Sequence, residues 1–239
     1  MYLMLATRPD LAYPVGILAR HASNPSPQHE KALLHLVGYV QHTKDYSLTF
    51  YQPADDVDDP GVINALSDAD WAGETHSGRS TTGMVILKNG SAVSWSSKRQ
   101  GVVSTSTMES EYIALFNTVQ NAVFLSHLER QFCVTWFSPY VWCDNQAAIT
   151  IAKGGDMEFK RSKFMNVKYH YVRQAVKKEY VDIDYISTIN NTADLFTKRL
   201  PHGPLSSFRG HFMQQMDQRN LPKENKVLSP IVDSDDGRS

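Results

Sequence analysis

Cysteine is scarce in this chain: Cys133 and Cys143 are the two in 239 residues. Two cysteines cannot build a disulfide framework, and neither stands in a CxxC or Cys/His spacing that would hold structural zinc. Long apolar runs are missing too, none approaching the ~18–20 residues that a membrane-crossing helix needs. The opening MYLMLATRPD carries an apolar stretch too short for a secretory signal, broken at once by Arg8 and Asp10. An intracellular, reducing compartment with no membrane partner is therefore expected. There is no GxSxG motif, and Ser104, Ser106 and the other serines have no paired histidine, so no side-chain nucleophile is signalled. Charge of one sign is not in excess either: 24 Lys+Arg against 25 Asp+Glu leave a net charge of −1. As a total, that balance speaks against nucleic acid, because phosphate binders tend to be basic.

What is present suffices for a core. Hydrophobic residues make up 41% and aromatics 10%, which excludes a disordered chain. Residues 1–52 read as helical, with Leu33, Leu36, Val37 and Val40 on one stripe and Ser26 as an N-cap. Residues 53–61 form an acidic linker in which Asp55, Asp56, Asp58 and Asp59 stand between two prolines. From 62 to 201 the texture is α/β. VINALSDAD reads as a strand, and TTGMVILK and SAVSWSS flank the hairpin signal Asn89-Gly90. Ser106 and Glu109 make a capping box that opens a long helix. PYVWCD is a strand and NQAAITIAK a short helix. A helix over 160–180 presents Phe164, Val167, Tyr171 and Ala175, VDIDYIS alternates as a strand, and NTADLFTKRL closes as a helix. The order β-β-β-α-β-α-α-β-α predicts a mixed five-stranded sheet flanked by helices. Residues 202–239 read as a polar tail.

Four carboxylates fall at strand ends or helix starts, where α/β sheets bind ligands. Asp68 is late in the first strand of this unit, Glu111 is in the first turns of the long helix, Asp144 ends PYVWCD, and Asp194 opens the last helix. Each alone is most simply a helix cap or a surface residue. Four on separate elements repel one another unless a cation lies among them. An all-oxygen cage suits Mg²⁺ or Mn²⁺, and two such ions form a clamp for in-line attack on a phosphodiester.

SDADWAG, STSTMESEYIA, CDNQAAI and NTADLFTKRLP, in that order, resemble the RNase H domain of copia-type LTR-retrotransposon Pol polyproteins. The segment from YLMLATRPD to DYSLTF resembles the end of the adjoining reverse transcriptase, its thumb and connection. The resemblance implies an RNase H-like fold and two-metal hydrolysis of the RNA strand of an RNA–DNA hybrid, leaving a 5′-phosphate. By motif it makes Asp68, Glu111, Asp144 and Asp194 both the catalytic residues and the ligands of two Mg²⁺ ions, with Mn²⁺ as the other candidate. Asp70 shares a strand face with Asp68, and Glu109 lies ~200° around the helix from Glu111, so neither fits the set as well. The implied locations are a cytoplasmic virus-like particle or the nucleus.

The sequence departs from the family pattern at Phe164 and Asn166, where His and Asp are usual, and a YVDD-like polymerase loop is missing. Residues 1–52 are therefore expected to expose apolar surface that packs on absent fingers and palm, or on a polymerase partner. The charge is also unevenly spread. Lys160, Arg161, Lys163, Lys168 and Arg173 lie in an acid-free stretch, expected to track phosphates by counterion release. Asn145 and Gln146, next to Asp144, are candidates for sugar or base edges, with N-capping the plainer role for Asn145. The alternative to a nuclease is a non-catalytic hybrid-binding or connection module, or an inactive fragment of a decayed element. An integrase-like nuclease is disfavoured because the glutamate falls second among the acids.

Overall fold

The computed structural model describes residues 1–50, 62–74, 77–132, 137–154 and 163–216. The acidic linker, Cys133, Trp136, Lys160, Arg161 and the end of the chain past 216 lie outside the described residues. The N-terminal part holds α1 (Tyr2–Ala6), α2 (Ala12–Ala19), α3 (Pro27–His42) and β1 (Tyr46–Leu48). Ser26 caps α3 in a reciprocal box with His29.

The sheet follows with β2 (Ile63–Asp70), β3 (Thr81–Lys88) and β4 (Ser91–Arg99), all antiparallel. Asn89 and Gly90 both have positive φ, 51° and 74°, the backbone that a tight primed turn requires. Then come α4 (Thr107–Glu129), β5 (Tyr140–Cys143), α5 (Gln146–Ala152), α6 (Lys163–Lys177) and β6 (Asp182–Tyr185). The strand order is β4-β3-β2-β5-β6, with β5 parallel to β2 and β6 parallel to β5. This is the mixed five-stranded sheet expected from the element order.

Ser106 accepts from the Glu109 amide at 3.2 Å, as the capping box requires, but the Glu109 carboxylate reaches Thr105 rather than Ser106. NTADLFTKRL is shorter than the helix expected. It forms a 3-10 turn over Thr192–Phe196, with Asn191 capping it through the Ala193 amide.

Two apolar clusters cover the sheet. On one face α4, α5 and α6 pack on Ile63, Ala65, Ile86, Val141 and Ile183. On the other, Leu66, Val85 and Ala92 meet Ala12, Phe196, Phe212 and Met213. The last two do not belong to a polar tail. Residues after 201 begin with α7 (His202–Gly210) and β7 (Met213–Gln215), and β7 pairs antiparallel with β1. Phe208 and Phe212 alternate with polar residues, which is why the segment's average looks hydrophilic while one side of it is buried.

A buried ionic cluster joins the same segments. Arg8 binds Asp10 at 2.7 Å and Thr43 Oγ1 at 2.7 Å, Tyr39 donates to Asp10 at 2.7 Å, and Arg209 donates to Tyr39 at 2.9 Å. Arg209 also lies 4.0 Å over the Tyr46 ring. The stripe on α3 is half open: Leu33 is 50% and Val37 55% exposed, while Leu36 and Val40 are partly buried.

Candidate functional site

The four acids expected to converge are brought to one end of the sheet. Asp68 is carried by β2, Glu111 by α4, Asp144 follows β5, and Asp194 sits in the 3-10 turn. Glu111 Oε1 accepts from the Ala69 amide at 3.3 Å, which ties α4 to the strand bearing Asp68. Oxygens of Glu111 and Asp144 lie within 4.8 Å of each other and of the Cys143 sulfur. Asp144 Oδ2 accepts from Thr188 at 2.8 Å.

Asp68, Glu111 and Asp194 are buried, and burial dominates their electrostatics. Desolvation, then the charges of Asp68 and Asp144, push Glu111 up to about 9. Desolvation and the Asp194 charge push Asp68 up to about 6, against the pull of Lys198. Asp144 is raised by burial, with the Thr188 hydrogen bond opposing it. Burial also drives the Cys143 thiol up to about 12, so it stays a thiol and is a poor ligand. Glu111 Oε2 is buried with no hydrogen-bond partner.

Lys198 joins these acids, although the sequence marks it with no motif role of its own. Its ammonium lies 2.7 Å from Asp194 Oδ1 and 3.9 Å from Asp68 Oδ2. Burial opposes its charge, but Asp68, Asp194 and Asp144 more than compensate and raise its pKa. Its position four residues past Asp194 was the available signal, since such pairs share a helix face.

The neighbouring polar residues behave differently. Asp70 is half-buried, raised by burial and by Asp68, and leans on Gly73, where a Cβ would lie 1.9 Å from its Oδ2. Asn145 takes its plainer role, its Oδ1 accepting from the Ala148 amide at 3.0 Å, while Gln146 is exposed.

The basic stretch is described only in part. Lys160 and Arg161 lie outside the described residues, and of Lys163 only its place at the start of α6 is described. Lys168 is buried, its ammonium 4.1 Å over the Phe116 ring. Arg173 donates to Tyr169 and, at 2.8 Å, to the Gly154 carbonyl. On α6, Met165, Tyr169, Val172 and Ala175 point inward and Tyr171 packs beside them, as expected of Tyr171 and Ala175, whereas Val167 is 63% exposed. Lys168 falls on the inward side, its aliphatic stem packing as an apolar residue would.

The strand order and the acids at its end define an RNase H-like α/β domain. A Pol polyprotein of transposon TNT 1-94 from Nicotiana tabacum is 35% identical over 201 residues, which is 84% of this chain and 15% of that protein. The Pol polyprotein of transposon RE2 from Arabidopsis thaliana is 30% identical over 203 residues, 84% of this chain and 14% of that protein. Over 84% of its length the chain is homologous to copia-type retrotransposon Pol polyproteins, and it spans about a seventh of these relatives' length. A protein named secreted RxLR effector 161, from Plasmopara viticola, is 45% identical over 131 residues, 55% of this chain and 89% of that protein. No family model matches the chain. Among solved structures, an RNase H1 called LC11 has a TM-score of 0.45 at 16% identity, covering 57% of this chain and 93% of that one. The same enzyme in complex with an RNA/DNA hybrid gives 0.43. The strand order, not these overlaps, carries the fold. No described helix is long and apolar enough to cross a membrane.

Proposed function

We propose that this chain is a divalent-metal-dependent endoribonuclease that hydrolyses the RNA strand of RNA–DNA hybrids, as the RNase H part of a retrotransposon Pol polyprotein. The observation that carries the reading is Glu111 Oε2, buried without a partner among three further carboxylates. An apolar core has no use for such a group, whereas a cation between the acids supplies the missing partner and removes their repulsion.

Asp68, Glu111, Asp144 and Asp194 are the residues that would hold two Mg²⁺ or Mn²⁺ ions, since the set is all oxygen. Bound there, the ions supply an acidified water and neutralise charge at the phosphodiester. Lys198 holds Asp194 and Asp68 at hydrogen-bonding or ion-pair range, and the Ala69 amide orients Glu111. Asn145, Gln146 and the basic residues Lys160, Arg161, Lys163, Lys168 and Arg173 were the expected substrate contacts. Lys168 is buried over the Phe116 ring and Arg173 hydrogen-bonds Tyr169 and the Gly154 carbonyl, while Gln146, two residues after Asp144, is exposed and open to a ligand.

Residues 1–52 are read as the end of a reverse transcriptase and 62–201 as the RNase H unit. The exposed apolar side chains Tyr2, Leu5, Leu34 and Val37 fit docking on the fingers and palm of a polymerase, carried elsewhere in a longer chain or by a partner.

The test is cleavage of a labelled RNA–DNA hybrid in Mg²⁺ and in Mn²⁺. Activity abolished by Asp68→Asn and by Asp144→Asn supports the reading. A folded chain that binds hybrid in EDTA and cleaves it at no metal concentration is instead a non-catalytic binding module.

A further inference from the structure

The 3-10 turn bearing Asp194 lies directly on the sheet, and the sequence allows this at one place. Gly83 is the register partner of Asp68. A Cβ on Gly83 would lie 2.6 Å from Thr197 Cγ2, 2.7 Å from the Ala193 carbonyl and 2.9 Å from Phe196 Cβ. Only a glycine lets the turn approach this closely. Two side chains then fasten it to the strand: Asn191 donates to the Ser67 carbonyl at 3.0 Å, and the Thr197 hydroxyl donates to Asp68 Oδ2. Thr197 Oγ1 is also 3.3 Å from the Asp194 carbonyl, but it has a single proton, and the nearer carboxylate takes it. Thr197 is fully buried, so no water competes for that proton.

We propose that Thr197 is the positioning residue of the site: by fixing one oxygen of Asp68 it sets the direction of the other, and couples Asp68 to the turn that carries Asp194. This rests on the metal-dependent reading above. A carboxylate at a strand end otherwise turns about χ2, and an oriented ligand loses less entropy when a cation arrives. Groups that orient metal ligands typically govern ~10–100-fold in affinity.

The experiment measures Mn²⁺ binding by electron paramagnetic resonance on the full chain, without substrate. Thr197→Val keeps the volume and removes the hydroxyl, and it is expected to weaken Mn²⁺ binding by ~10–100-fold. Thr197→Ser restores the hydroxyl and is expected to restore most of the affinity. Gly83→Ala keeps every polar group but lifts the turn, and it carries the same expected loss should Thr197→Val fail to fold. Equal affinity in wild type, Thr197→Val and Gly83→Ala overturns the proposal. So does a Thr197→Ser chain as weak as Thr197→Val, because the methyl and not the hydroxyl then matters. A folded wild type that binds no Mn²⁺ overturns the metal-dependent reading itself, which the variants alone cannot do.

Discussion

The two faces of the sheet are covered by different kinds of chain. On one, α4, α5 and α6 come from the stretch between the strands they pack on, as in any crossover unit. On the other, the cover is assembled from both ends of the described chain: Ala12 from before the sheet, Phe212 and Met213 from after it, with the 3-10 turn between them. The ends are joined by the β1–β7 ladder and by the Arg8–Asp10–Tyr39–Arg209 cluster. The carboxylates stand where the two covers meet. Glu111 is supplied from the first face, Asp194, Thr197 and Lys198 from the second, and Asp68 and Asp144 from the strands between. A segment that resembles the end of a polymerase is thus part of what holds one wall of the proposed nuclease site.

The comparison breaks most visibly on truncation. A chain of residues 62–201 alone uncovers Leu66, Val85 and Phe196, each worth ~1.5–3 kcal/mol of burial. That sum is comparable with the whole stability of a domain, ~5–15 kcal/mol. Cooperative thermal unfolding is expected to disappear, and a melt like that of the full chain would show that the second cover is dispensable. Single changes come next. Phe212→Ala is expected to cost about 3–5 kcal/mol in denaturant unfolding, as core phenylalanines do. Arg8→Leu, which leaves Asp10 buried without its guanidinium, is expected to cost a similar ~3–5 kcal/mol. If both prove nearly neutral, the end-to-end packing contributes little.

A smaller effect, of opposite sign, is expected where the faces meet. Glu111 has a folded pKa of about 9 against an ordinary 4.5, so without metal the folded chain holds a proton that the unfolded chain releases. Its stability is full below about 4.5 and falls as pH rises toward about 9. In EDTA, Glu111→Gln is therefore expected to raise the melting temperature at pH 8 and to change it little at pH 4. Equal melting temperatures at both pH values would mean that Glu111 ionises freely. The smallest effect is on α3, where Leu34→Ser, at a position 66% exposed, is expected to stay within ~0.5 kcal/mol.

Much of this was legible in the residues. Asn89-Gly90 specified its turn because few other pairs tolerate two positive φ values, and Ser106 announced the start of α4. The four acids could be selected because each falls late in a strand, just after one, or in the first turns of a helix. Other features could not be read. Periodicity on α6 admitted Val167 to the inner face as readily as Met165, Tyr169 and Val172, and only the surface of α4 opposite chose between them. Lys168 was counted with the phosphate-facing cations because charge is visible in a sequence and burial is not. Gly83 and Thr197 carry no signal of their own, being an ordinary strand glycine and an ordinary threonine until the turn that ends at Thr197 is laid on Gly83, 110 or more residues earlier in the chain.

By itself the sequence determined the local choices: where strands and helices begin, how the hairpin turns, and which acids end the strands. These depend on backbone preference and hydrogen bonds within a few residues. The tertiary structure decided what covers the second face, and that Lys198 and Thr197 join the carboxylates. Those outcomes depend on burial, which is a property of surfaces brought together from distant parts of the chain, and no local pattern encodes it.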